Sequence, residues 1–127
     1  MKLNLFNHDK EVKKFAPGEI IIRENDPGDI MYIIRAGEII IQVNGQKVDH
    51  LSSGEYLGEM ALIENDHIRS ATAIAKTDCQ LIVIHKKRFL FMGENNPHLA
   101  LDLLMNILGQ RLRKMEQKFV SYQIQQV

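Results

Sequence analysis

Six short runs rich in β-branched residues, each closed off by turn-forming residues, fill the stretch from residue 15 to residue 85. They occupy positions 19–23 (EIIIR), 30–35 (IMYIIR), 38–43 (EIIIQV), 46–51, 71–76 and 80–85 (QLIVIH). Side chains branched at Cβ are stiff and pack well on a pleated surface, so runs of this length read as strands. Ala16-Pro17-Gly18 precedes the first run, and Asn25-Asp26-Pro27-Gly28-Asp29 separates the first from the second. Asn44-Gly45 lies between two apolar runs, where both residues tolerate the positive φ of a tight hairpin turn. Many short strands at even spacing predict an antiparallel barrel or jelly roll.

The texture changes at Lys86. Residues 86–94 (KKRFLFMGE) read as a short helix. A longer one starts where Asn96 can cap free N–H groups and Pro97 loses nothing at the first helical position. Leu101, Leu104, Leu108, Leu112, Met115, Phe119 and Tyr122 then recur at spacings of three and four, one apolar stripe on a helix of roughly 25 residues. Gly109 lies inside it, a residue that weakens a helix by about 1 kcal/mol relative to Ala and suggests a bend or a close contact. Such a helix exceeds what a small barrel covers. A homodimer through Leu101, Leu104, Leu108, Leu112 and Met115 is the expected use of the stripe, and folding back onto the barrel is the alternative.

The chemistry concentrates in residues 54–73, GEYLGEMALIENDHIRSATA. Gly58 lets backbone approach a ligand with no Cβ in the way. A helix turn starting near Glu59 offers unpaired N–H groups to an anion. Arg69, returned by the loop at 63–68, adds a guanidinium fork that matches a pair of phosphate oxygens, and Ser70 adds a hydroxyl. Glu59 would repel a phosphate, so its place is either to accept from a ligand hydroxyl or to hold Arg69. The set suits a ligand with one anionic group and a sugar hydroxyl.

Gly58-Glu59-Met60-Ala61-Leu62, then Arg69-Ser70-Ala71-Thr72, resembles the phosphate-binding cassette of cyclic-nucleotide-binding domains, the family of the catabolite activator protein and of the regulatory subunits of cyclic-AMP-dependent protein kinase. The likeness extends over Phe15-Ala16-Pro17-Gly18 with Ile21, the turn Asp26-Pro27-Gly28-Asp29, Tyr32-Ile33-Ile34, Gly37, Arg88-Phe89 and Asn96-Pro97, from Phe15 to about Lys118. It implies a mainly β fold with flanking helices: an eight-stranded jelly-roll-like barrel over about 15–85, with the cassette at 58–72, and C-terminal helices over about 86–122, all one domain spanning 1–127. It further implies that Glu59 takes the ribose 2′-hydroxyl, that Arg69 pairs with the cyclic phosphate, and that backbone around Gly58, Met60, Ala61 and Ala71, with Ser70, completes the site. Arg111, with Lys114 behind it, is the expected basic lid over the base. Two departures stand out: Ile68 where kinase members often have Pro, and Ala73 where Val is usual.

Other classes find no support. Sixteen Lys and Arg balance sixteen Asp and Glu, without the basic excess of a bulk nucleic-acid binder. Arg111-Leu112-Arg113-Lys114 reads as a solvated face or lid. With few residues after Lys118, no DNA-reading domain and no direct DNA binding are expected. A single cysteine, Cys79, forms no internal disulfide and reads as packing. No apolar run approaches the ~20 residues of a membrane span, and no signal-like segment opens the chain. His8, His50, His67, His85 and His98 show no metal-ligand spacing, and His67, in the cassette loop, is expected to face solvent. A cytoplasmic binding module that is not an enzyme, needs no cofactor and takes cyclic AMP or cyclic GMP as ligand is the expectation. It leans to cyclic AMP because Pro is missing before Arg69, and an unidentified effector protein or the dimer would receive the signal. A nucleotide-independent dimeric scaffold, or a fragment of a larger regulator, is the alternative.

Overall fold

The computed structural model describes residues 11–126, with side chains through residue 120. His8 and the side chain of Tyr122 lie outside that range. Eight strands precede the long helix: β1 (Glu11–Phe15), β2 (Ile20–Ile22), β3 (Ile30–Ala36), β4 (Ile39–Val43), β5 (Gln46–Leu51), β6 (Tyr56–Leu57), β7 (Thr72–Ala75) and β8 (Cys79–His85). A four-residue helix, α1 (Met60–Ile63), interrupts them, and α2 (Lys86–Asn95) and α3 (Pro97–Gln126) follow. The strands form two four-stranded antiparallel sheets, ordered β1-β8-β3-β6 and β2-β7-β4-β5. This is the expected jelly-roll-like arrangement.

The runs in β3 and β8 are apolar without alternation because both faces of their sheet are covered. Tyr32, Ile34, Leu81 and Val83 point between the sheets, against Ile39, Ala73 and Ala75. Met31, Ile33, Ile82 and Ile84 point the other way, onto Leu62 of α1, Phe89 of α2 and Ala100, Leu103 and Ile107 of α3. The Asn44-Gly45 turn has φ of 51° and 79°, with Val43 paired to Gln46 across it, as the hairpin reading requires. Cys79 is buried, its Sγ within 3.3 Å of the carbonyls of Glu38 and Thr77.

Two strands were not legible. In β1, EVKKF, the charged residues hide the period; it pairs only with β8, at the sheet edge, where lysines are tolerated because one side faces water. Two-residue β6 is too short to carry any pattern.

Helix α3 carries two apolar faces where a single stripe was expected. Ala100, Leu103 and Ile107 enter the core, with Leu104 partly buried beside them. Leu101, Met105, Leu108, Leu112, Met115 and Phe119 stay 53–63% exposed. So Leu104 leaves the expected stripe and Met105 joins it, giving an unbroken 4-3-4-3-4 spacing. Asn96 Oδ1 accepts from the Leu99 N–H at 3.4 Å, the anticipated cap. At Gly109 a side chain would approach only Arg113 of the same helix, so of the two expectations, a bend or a close contact, no contact with another element is made there. No helix among the described residues is long and apolar enough to cross a membrane.

Candidate functional site

Arg69 is the only charged residue that is fully buried among those described, at 7% exposure. Its backbone is clamped: the Arg69 N–H donates to Asp26 O (2.8 Å) and its carbonyl accepts from Asn25 (2.8 Å), while Ile68 bridges Pro27. The turn between β2 and β3 therefore holds the cassette loop from outside. The guanidinium donates to Ile30 O at 2.7 Å and to Gly58 O at 3.4 Å. Those carbonyls take two of its five N–H hydrogens and leave the rest for another acceptor. Burial pushes the guanidinium pKa down, partly offset by Tyr32 and Asp29, yet arginine stays charged under all ordinary conditions.

Two glycines make room for that side chain. A Cβ at Gly28 would lie 2.1 Å from Arg69 Nε, and one at Gly58 would lie 2.7 Å from a terminal nitrogen. Gly58 also has φ of 75°, which only glycine adopts cheaply. The sequence pointed to Gly58; Gly28 was visible only as a turn residue, since a close approach between segments 41 residues apart leaves no local signal.

Arg69 lines a cavity of about 110 Å³ together with Gly58, Glu59, Met60, Ser70, Ala71 and Arg111. Seven of the nine residues named from the sequence thus meet at one place. Ala61 does not line it; it is 1% exposed and its N–H donates to Gly58 O at 3.1 Å, closing the turn that opens α1. Lys114 lines an adjoining cavity of about 360 Å³ between α3 and the sheet of β4 and β5. Gly58, Glu59, Ile41, Leu57 and Arg111 border both cavities, so the two form a polar end and a larger, mostly apolar end of one cleft.

Glu59 pairs with Arg111 of α3, not with Arg69. Its side chain is 18% exposed and the arginine's 52%, so the carboxylate sits inward and the partner at the rim. Lys114 Nζ reaches Glu55 (2.7 Å), Asp49 (3.3 Å) and the carbonyl of His50 (3.1 Å). Gln110 Nε2 donates to Gly54 O at 3.0 Å. Beyond Ile107, α3 is therefore held over the cleft by polar contacts, while its apolar face turns outward. Asp49, Glu55 and Gln110 were missed from the sequence, since their roles come from a helix landing on strands more than fifty residues away.

His67 lies inward, not toward solvent. Its side chain is 9% exposed, where solvent exposure was expected, because its carbonyl accepts from Gly28 at 3.1 Å and the loop folds inward against the turn. Among the described residues, no three His, Cys, Asp or Glu side chains gather as a metal site would need.

The family sequence model for the cyclic nucleotide-binding domain matches residues 12–96. A cGMP-dependent protein kinase of Plasmodium berghei is 34% identical over 115 residues, 89% of this chain and 13% of the kinase. A cAMP-dependent protein kinase regulatory subunit of Hypocrea atroviridis is 38% identical over 79 residues, 62% of this chain and 17% of that protein. This chain thus spans under a fifth of the length of either. Among solved structures, the Thermus thermophilus catabolite activator protein superposes with a TM-score of 0.74 at 25% identity, over 92% of this chain and 56% of that one.

Proposed function

Because the chain belongs to the cyclic nucleotide-binding domain family, we propose that it is a non-enzymatic sensor whose ligand is cyclic AMP in preference to cyclic GMP. The observation that carries this reading is the buried Arg69 with spare donors, walled by Gly28 and Gly58, at the polar end of a two-part cleft. The cyclic phosphate sits against Arg69 and Ser70, where a guanidinium in a low-dielectric pocket gives strong charge-assisted bonds. Glu59 accepts from the ribose hydroxyl. The base lies in the larger cavity under Arg111 and Lys114 of α3. Asp49 and Glu55 line that end, both paired with Lys114; the preference for cyclic AMP rests on Ile68 standing where kinase members often have Pro.

The signal leaves through α3. A ribose that takes Glu59 competes with Arg111 for the same carboxylate and so removes one tether from the helix. A ligand shifts a two-state element only through such differential contacts. The receiver is a second copy, docked along Leu101, Met105, Leu108, Leu112, Met115 and Phe119, or an effector protein. The unbroken heptad spacing of that exposed face is the geometry of a two-stranded coiled coil. It also favours the second reading, a dimeric scaffold indifferent to nucleotide.

Thermal unfolding with cyclic AMP, cyclic GMP and linear 5′-AMP separates the two. Ligand at a hundredfold over Kd stabilises by about 2.7 kcal/mol, so the sensor reading expects a rise of several degrees with cyclic AMP and less with 5′-AMP. No rise with any of them, on a chain that still dimerises, would leave the scaffold.

A further inference from the structure

We propose that His67 is a second anion contact in the cavity lined by Arg69, one that binds as imidazolium, so that ligand binding takes up a proton there. The inference rests on reading that cavity as the phosphate site. A loop histidine with a side chain only 9% exposed is unusual unless it is held for a purpose or packed as filler. This one lines the small cavity with Arg69 and Ser70 and also borders the outer groove with Asp29, Glu64, Asp66 and Lys86. It is a wall between the two. The main chain fixes it there through the Gly28 N–H bond to its carbonyl and the Ile68–Pro27 bridge beside it.

The ring has no strong partner of its own. Nδ1 lies 3.7 Å from Glu64 Oε2, beyond hydrogen-bond range but within reach of charge attraction. Charged groups line both cavities that it borders. Glu64 and Asp66 come from its own loop, Asp29 from the turn before β3, and Lys86 from the start of α2. Glu59, Arg69 and Arg111 border the cavity. Lys86 is already occupied by Glu64 O and Asn65 Oδ1, at 2.9 and 3.0 Å. The two cavities that His67 borders are thus lined by four acids and three bases, and a bound phosphodiester adds one more negative charge there. Imidazole is the side chain that changes charge between about pH 5 and 8, so the added anion draws a proton onto it. A phosphodiester does not titrate in this range, and uptake therefore reports on the protein.

The test is calorimetric titration with cyclic AMP from about pH 6 to about pH 8, in paired buffers of different ionisation heat. Wild type is expected to bind up to about tenfold tighter per pH unit as pH falls, with up to one proton taken up. His67→Gln should bind as wild type does near pH 8 and lose both the slope and the uptake. Glu64→Gln keeps the imidazole and removes the acid beside it, so the slope and the uptake should persist but be displaced to lower pH; this guards against a folding defect in the first variant. An unchanged slope in His67→Gln would overturn the proposal while leaving the phosphate site in place. Absence of binding in wild type at every pH would overturn the site reading itself, and this inference with it.

Discussion

Replacing Gly28 with alanine tests whether the room around Arg69 is what makes the anion site. Gly28 lies outside the left-handed backbone region, so a methyl group there brings no conformational penalty of its own. It would sit 2.1 Å from Arg69 Nε, more than 1 Å inside ordinary contact. The backbone of the turn is pinned by the Gly28 N–H bond to His67 O and the Arg69 N–H bond to Asp26 O, so the side chain must yield. Leaving its place costs the 2.7 Å bond to Ile30 O, and hydrogen bonds from charged groups contribute about 1.5–3 kcal/mol. If the phosphate relies on the same guanidinium position, cyclic AMP affinity falls by a similar energy, roughly 10- to 150-fold. Calorimetry gives the Kd and a melting curve the stability. Gly45→Ala is the comparison: it has φ of 79° and nothing within 4 Å, so it loses about 1–2 kcal/mol of stability and no affinity. Wild-type affinity in Gly28→Ala, with an unchanged melting temperature, would refute the steric argument.

Other consequences follow from the same packing. Leu103→Ala empties a site that is 0% exposed where α3 meets β3 and β8; urea unfolding should show a loss of about 2–5 kcal/mol. Leu112→Glu alters a residue that is 58% exposed, so domain stability should hold while light scattering shows a shift from dimer to monomer. Burial raises the Tyr32 pKa above its ordinary value, with Arg69 opposing. The unfolded chain therefore loses that proton first as pH rises, and stability is lost between the ordinary value, near 10, and the raised one. Tyr32→Phe should flatten the alkaline fall in melting temperature.

Where a residue's environment was set by its own neighbours, the sequence was enough to read it. The β-branched runs announced six strands, Asn44-Gly45 announced the hairpin, and Asn96-Pro97 announced the start of α3. What stayed hidden depends on segments meeting at a distance. β1 has only one buried edge, so its lysines mask the strand period. Helix α3 carries Leu104 toward the core and Met105 outward, a choice made by the surface it packs on. The same holds for the site. Gly58, Glu59 and Arg69 stood out by spacing within the cassette. The partner of Glu59 sits 52 residues later on α3, and Gly28 and His67 matter only because the turn before β3 folds against the cassette loop.

Everything in the proposed function turns on Arg69, packed against Gly28 and Gly58, binding the cyclic phosphate. The decisive experiment is calorimetric titration of refolded, nucleotide-free protein with cyclic AMP, beside an Arg69→Lys variant that keeps the charge and loses the fork. Wild type should show one site per chain in the micromolar range or tighter, weakened at least about tenfold in the variant, since lysine does not replace a bidentate guanidinium. Equal affinity in the two proteins, or no binding heat in wild type, would contradict that role for Arg69.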